Sequence, residues 1–183
     1  MNDAPKLVWY FAYGANMMAS VMVDRRGLRP LSSEGAHLSG FRLVFDLSGL
    51  PLVEPAFASI VEASDAEMYG VLYRLTEADM RRLRRSESPA YETIEVRVAG
   101  MQSGHIVAVA LRNKRPKAGL APSRRYVRLL CQGAREAALP EPYIAWLAAH
   151  PSAYVPVASE VTEAFFGAVL GLARRLRTAR RAP

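Results

Sequence analysis

The spacing of apolar positions changes several times along the chain, and each change marks an expected element. Leu7 to Ala12 is almost continuously apolar and rich in Val and aromatics, which predicts a strand buried on both faces. Gly14 breaks the run. Asn16 is a good helix cap, and Met17, Met18, Val21 and Met22 follow at helical spacing. The helix should end near Arg26, with Gly27 as the stop and Pro30 just after. Phe41, Leu43 and Phe45 alternate with Arg42 and Val44, a strand signal. Residues 46–55 hold Gly49, Pro51 and Pro55 without periodicity and read as a flap, since structureless loops of that length usually cover a site. Residues 56–61 and 68–75 read as two further strands.

Thr76-Glu77-Ala78-Asp79 is a capping-box variant, with Leu75 and Met80 placed for a hydrophobic staple. The short helix it starts turns Met80 and Leu83 inward, and Pro89 disfavours helix at the residue before it. Residues 91–98 and 105–111 form a predicted hairpin around two glycines. A basic loop follows over 112–122. Ser123 then caps a helix carrying Tyr126, Val127, Leu129, Leu130 and Ala134. Pro140 and Pro142 open another, with Tyr143, Trp146 and Leu147 on one side. Ser159 should cap a last helix through Val161, Phe165, Val169 and Leu172. Strands cluster early and helices late. This order argues for an α+β fold: a small, mostly antiparallel β-barrel, partly closed, with flanking helices.

Composition narrows the class. The chain has 183 residues, 51% apolar and 22% charged, which fits one globular domain over 1–183. A basic, frayed tail is expected near 174–183. No leader pattern, spanning segment or cysteine pair is visible, so a cytoplasmic protein is expected, with no membrane partner. The formal charge of +7 has local sources, arginines at 81, 82, 84 and 85 and again at 174–181. These runs lack the interleaved aromatics of a single-strand binding surface, and nucleic acid is not an expected partner. His37, His105 and His150 are far apart, and no metal site is expected. Cys131 beside Leu129 and Leu130 reads as a buried thiol.

Two stretches remain as candidates for chemistry. The bend Tyr13-Gly14-Ala15-Asn16 should aim free N–H groups from a helix start, a seat for an anion or a developing oxyanion. Glu87 follows the last turn of a short helix, where carbonyl ends disfavour negative charge and suit a general acid/base. The neighbouring arginines pull the other way unless they point to solvent. Glu92 and Glu95 are rivals within a strand.

Tyr10-Phe11-Ala12-Tyr13-Gly14-Ala15-Asn16-Met17 resembles the Y-F-A-Y-G-S-N-L signature of the γ-glutamylcyclotransferase (AIG2-like) family. The likeness continues in order. Met68-Tyr69-Gly70-Val71-Leu72-Tyr73 is similar to a W-G-V-V-W strand, and Glu87 stands where the family has its catalytic Glu. Pro122-Ser123-x-x-Tyr126, Cys131-x-Gly133-Ala134 and Leu139-Pro140 complete it. The resemblance implies a cofactor-independent enzyme in which the α-amine of a γ-glutamyl amino acid or amide attacks its own γ-carbonyl, giving 5-oxoproline and a free amine. Glu87 would be the catalytic acid/base. Tyr10, Tyr13, Gly14, Ala15, Asn16 and Tyr126 would bind the small-molecule γ-glutamyl substrate, in a monomer or homodimer. Alternatives on the same fold are a γ-glutamylated biosynthetic intermediate, a γ-glutamyl-amine or glutathione as substrate, or a non-catalytic ligand-binding role. The sequence departs from the family pattern at Ala15, where the family has Ser, at Ser86 and Ser88 around the glutamate, and at Ala110, where a Tyr is often found.

Overall fold

The computed structural model describes residues 5–50 and 53–153. The expected last helix and the 174–183 tail lie outside them. Five strands, β1 (Leu7–Ala12), β2 (Ser32–Leu50), β3 (Glu54–Thr76), β4 (Tyr91–Gly100) and β5 (Gly104–Asn113), close into a barrel in the order β1-β3-β2-β4-β5. All ladders are antiparallel except the seam, where Tyr10 on β1 pairs parallel with Val109 on β5. The small, mostly antiparallel barrel expected from the sequence is therefore present and closes on itself, which leaves fewer unpaired edge groups. The buried core includes Phe11, Leu38, Ile60, Met68, Leu72 and Leu75, all essentially inaccessible.

Two long strands replace several short ones. β2 and β3 pair along nearly their whole length, from Ser32↔Arg74 out to Leu50↔Glu54. Of the expected flap at 46–55, residues 46–50 and 54–55 are instead strand, the outer part of a paired arm. The two strands expected at 56–61 and 68–75 are one. The pattern hid this because register shifts at Ser39/Phe41 and Phe45/Leu47 insert extra residues, which break the two-residue period without ending the strand.

Helix α1 (Glu77–Ser86) starts as expected: the Thr76 hydroxyl accepts from Asp79 N at 3.1 Å, and Met80 and Leu83 are buried. Helix α2 (Arg124–Glu136) is capped by Ser123, which accepts from Tyr126 N at 3.0 Å. It seats directly on the chain after β1. A Cβ at Gly133 would stand 2.9 Å from Met17 Cβ and 3.1 Å from Met18 N, so only glycine allows this approach. In α3 (Glu141–Ala148) the inner side is Tyr143, Ile144 and Leu147. Trp146 is 43% exposed and stacks on Tyr143 from outside.

The helix expected after β1 is broken. A 3-10 turn, Ala15–Met17, is followed by extended Met18 and a π-type turn, Val21–Arg25. Its cap residue is Gly14 rather than Asn16. The Tyr73 hydroxyl donates to Met17 O at 2.8 Å and takes the carbonyl that a continuing helix would have used. Gly27, at φ 63°, ends the second turn as expected.

Candidate active site

The bend after β1 is held from three sides. The Tyr13 hydroxyl donates to Leu111 O and ties the bend to β5. α2 lies beneath it. Tyr126, on the first turn of α2, comes so close that a Cβ at Gly14 would be 3.0 Å from its hydroxyl oxygen. That oxygen accepts from Ala58 N at 3.4 Å, and Tyr91 on β4 donates to Ala58 O at 2.6 Å. The N–H groups that open the 3-10 turn have no partner within the turn.

Glu87 closes α1, its own N–H bonded to Leu83 O at 3.2 Å. Its side chain turns back toward the bend. Oε1 accepts from Asn16 Nδ2 at 2.7 Å and lies 2.7 Å from Arg26 Nη2. The two donors are themselves joined: Arg26 Nε donates to Asn16 Oδ1 at 2.8 Å, and Arg26 Nη1 to Ser86 Oγ. The second Asn16 amide hydrogen goes to the Tyr10 hydroxyl at 2.9 Å. Asn16 is thus spent on side chains 6 to 71 residues away, which explains why it does not cap a helix. Oε2 has no protein donor among the described residues.

All seven anticipated positions, Tyr10, Tyr13, Gly14, Ala15, Asn16, Glu87 and Tyr126, lie in the wall of one cavity of about 280 Å3. Val21, Arg25, Arg26, Ser88, Tyr91 and Leu111 contribute as well, together with Leu47, Phe57 and Ala58 from the arm. Burial pushes the Tyr10, Tyr13, Tyr91 and Tyr126 phenols well above the ordinary value. For Tyr126 the N–H groups of Ala58 and Ala15 recover only part of the rise. All four are neutral hydrogen-bonding groups near pH 7.

The rival carboxylates sit elsewhere. Glu92 accepts from Arg112 at 2.8 and 3.0 Å, and Glu95 is exposed. The α1 arginines turn away from Glu87: Arg81 toward Glu77, Arg82 to Gly27 O, Arg84 to Thr93. Arg26, read from sequence only as the end of a helix, is the cation that pairs with Glu87. Tyr91 and the arm residues were missed too, because nothing in their local pattern distinguishes a cavity wall from core. His37 bonds Glu67, and His150 packs on Phe45, where burial lowers its pKa. Cys131 is buried and its thiol pushed up, mainly by that burial. Among the described residues no cluster could hold a metal ion, and no helix is long and apolar enough to cross a membrane.

Residues 67–147 match the model of the AIG2-like family. The chain is 28% identical over 163 residues to the gamma-glutamyl cyclotransferase gliK of Aspergillus fumigatus, covering 74% of this chain and spanning 59% of that relative's length. It is 29% identical over 164 residues to the human gamma-glutamylcyclotransferase, covering 84% of this chain and 85% of the human one. A solved gamma-glutamyl cyclotransferase structure superposes with a TM-score of 0.73 at 27% identity, over 87% of this chain and 98% of its own. The barrel, the bend after its first strand and these likenesses agree: the chain belongs to the AIG2-like, γ-glutamylcyclotransferase family.

Proposed function

We propose that this protein is a γ-glutamyl cyclotransferase that releases 5-oxoproline and an amine from a γ-glutamyl amide, with Glu87 moving the proton. The observation that carries the reading is the 2.7 Å contact between Glu87 and Asn16, which brings the carboxylate over the bend at the edge of the cavity.

The reaction is a ring closure within one molecule. Holding the γ-glutamyl chain folded, with its amine against its own carbonyl, supplies much of the rate. Arg26 and Asn16 both donate to Oε1, which fixes the carboxylate and leaves Oε2 to work. The α-ammonium first loses a proton to solvent. The neutral amine then attacks, the new C–N bond forms, and Glu87 takes a second proton from the attacking nitrogen. N–H groups of the bend stabilise the charge developing on the carbonyl oxygen. The Tyr126 hydroxyl, neutral and close to Gly14, completes that surround. Glu87 then returns its proton to the departing nitrogen as the original amide bond breaks. Such acid–base help is worth roughly 10²–10⁴ in rate. Because the bend acts through main-chain donors, Ala15 in place of the family Ser leaves this part of the mechanism intact.

The test is incubation of the protein with γ-glutamyl dipeptides and γ-glutamyl amides. 5-Oxoproline and free amine should form in equal amounts. Absence of 5-oxoproline from every substrate would overturn the assignment.

A further inference from the structure

We infer that the β2–β3 arm builds the leaving-group side of this cavity and fits it to an uncharged, apolar amine. The inference rests on the cyclotransferase reading and deepens it. The cavity is two-sided. Hydrogen-bonding groups, Asn16, Arg26, Glu87 and Ser88, gather at the end of α1, whereas among the described residues the arm contributes Leu47, Phe57 and Ala58.

The arm is shaped for this place. The extra residue at Asp46 sets Leu47 opposite Phe57; uninterrupted pairing would have set it opposite Ala56. Bulges re-aim side chains in this way beside functional sites. Asn113 Nδ2 holds the bulge by donating to Asp46 O at 3.0 Å, and Lys117 N donates to the same carbonyl at 3.0 Å. Farther out, Glu54 accepts from Ser123 N at 2.8 Å and fastens the arm to the start of α2. Phe57 meets the Tyr126 ring edge-on at 5.6 Å. The apolar wall is therefore fixed before substrate arrives.

Charge points the same way. Among the described residues, the cations lining the cavity are Arg25 and Arg26. Arg26 is committed to Glu87, Asn16 and Ser86. Arg25 is exposed on the rim and belongs to the turn after the bend, not to the arm. A leaving group with its own carboxylate would carry it, desolvated, against Leu47 and Phe57 with no cation from the arm among the described residues. Burying an unpaired charge is strongly unfavourable.

γ-Glutamyl-isoamylamide and γ-glutamyl-leucine differ only by the leaving group's carboxylate, and 5-oxoproline release from each provides the test. The amide should have at least about tenfold the kcat/KM of the peptide. Leu47→Arg should reverse or erase the preference by supplying a cation, and Phe57→Leu, a milder change, should narrow it. Equal or faster turnover of γ-glutamyl-leucine by the wild type would overturn this inference and leave the cyclotransferase reading standing. A ratio unmoved in both variants would overturn it as well. Silence on both substrates, and on every other γ-glutamyl amide, would overturn the underlying reading and this inference with it.

Discussion

Glu54 and Glu87 are both carboxylates shielded from water, both accept hydrogen bonds, and both lie beside an arginine. Their surroundings differ in what is left over. Glu54 is 2% exposed; its Oε1 accepts from Ser123 N, and its Oε2 accepts from Ser123 Oγ and stands 3.5 Å from Arg125 Nη2. Both oxygens are used, and Glu54 is not in the wall of the cavity that Glu87 lines. Glu87 is 13% exposed, spends Oε1 on two donors and keeps Oε2 for a cavity. Burial and an arginine partner therefore mark an ordered carboxylate of either kind. Unspent acceptor capacity facing open space marks the one suited to chemistry.

Exchanging the two acids tests that distinction. Glu87→Gln should lower kcat/KM for 5-oxoproline release by roughly 10²–10⁴ while the urea midpoint stays near that of the wild type. Unchanged turnover would remove Glu87 from the mechanism. Arg26→Met should cost about 10–100-fold in kcat through loss of the fixed carboxylate geometry, and Arg26→Lys should restore part of it, since an ammonium supplies the charge without the second contact to Asn16.

Glu54→Gln should behave in the opposite way, losing about 1–3 kcal/mol of stability in urea unfolding, with the smaller effect on turnover. Its pH dependence sharpens the contrast. Burial raises the Glu54 carboxyl above its ordinary 4.5, and Ser123 and Arg125 offset only part of that. Between 4.5 and the raised value the folded chain holds more protons than the unfolded one. This group's contribution is therefore greatest below 4.5 and declines as pH rises through the raised value. The variant should lack that decline.

Glu34 supplies the smallest effect and the reverse sign. Slight burial works against its ionisation, but the Ser103 hydroxyl and the N–H groups of Gln102 and Ser103 prevail and hold the carboxyl below 4.5. Its contribution is complete above 4.5 and fades as pH falls through the lowered value. Glu34→Gln should cost on the order of 0.5 kcal/mol at neutral pH, and the difference from wild type should shrink in acid.

What could be read along the chain was whatever is decided locally. β1, the Thr76 and Ser123 caps, and the β4–β5 hairpin each follow from neighbouring residues, and the structure has them as expected. The β2–β3 arm was illegible because bulges interrupt its period, and Gly49 and Pro55 imitate loop signals inside paired strand. Asn16 misled for a different reason. Its capping propensity is real, but Arg26, Glu87 and Tyr10 offered its amide better partners through tertiary contacts that no local window contains. Family resemblance, rather than any local pattern, brought Glu87, the bend and Tyr126 into one hypothesis. Arg26 and the arm residues entered only with the coordinates.

Gly133 carries a consequence for anyone seeking to re-engineer substrate range. Helix and bend meet there backbone to backbone, with no side chain to absorb a shift, so Tyr126 and the main-chain donors share one reference frame. New specificities should be sought by varying the hairpin opposite. The helical wall is the fixed jaw of the vice, and the hairpin is the jaw that can be machined.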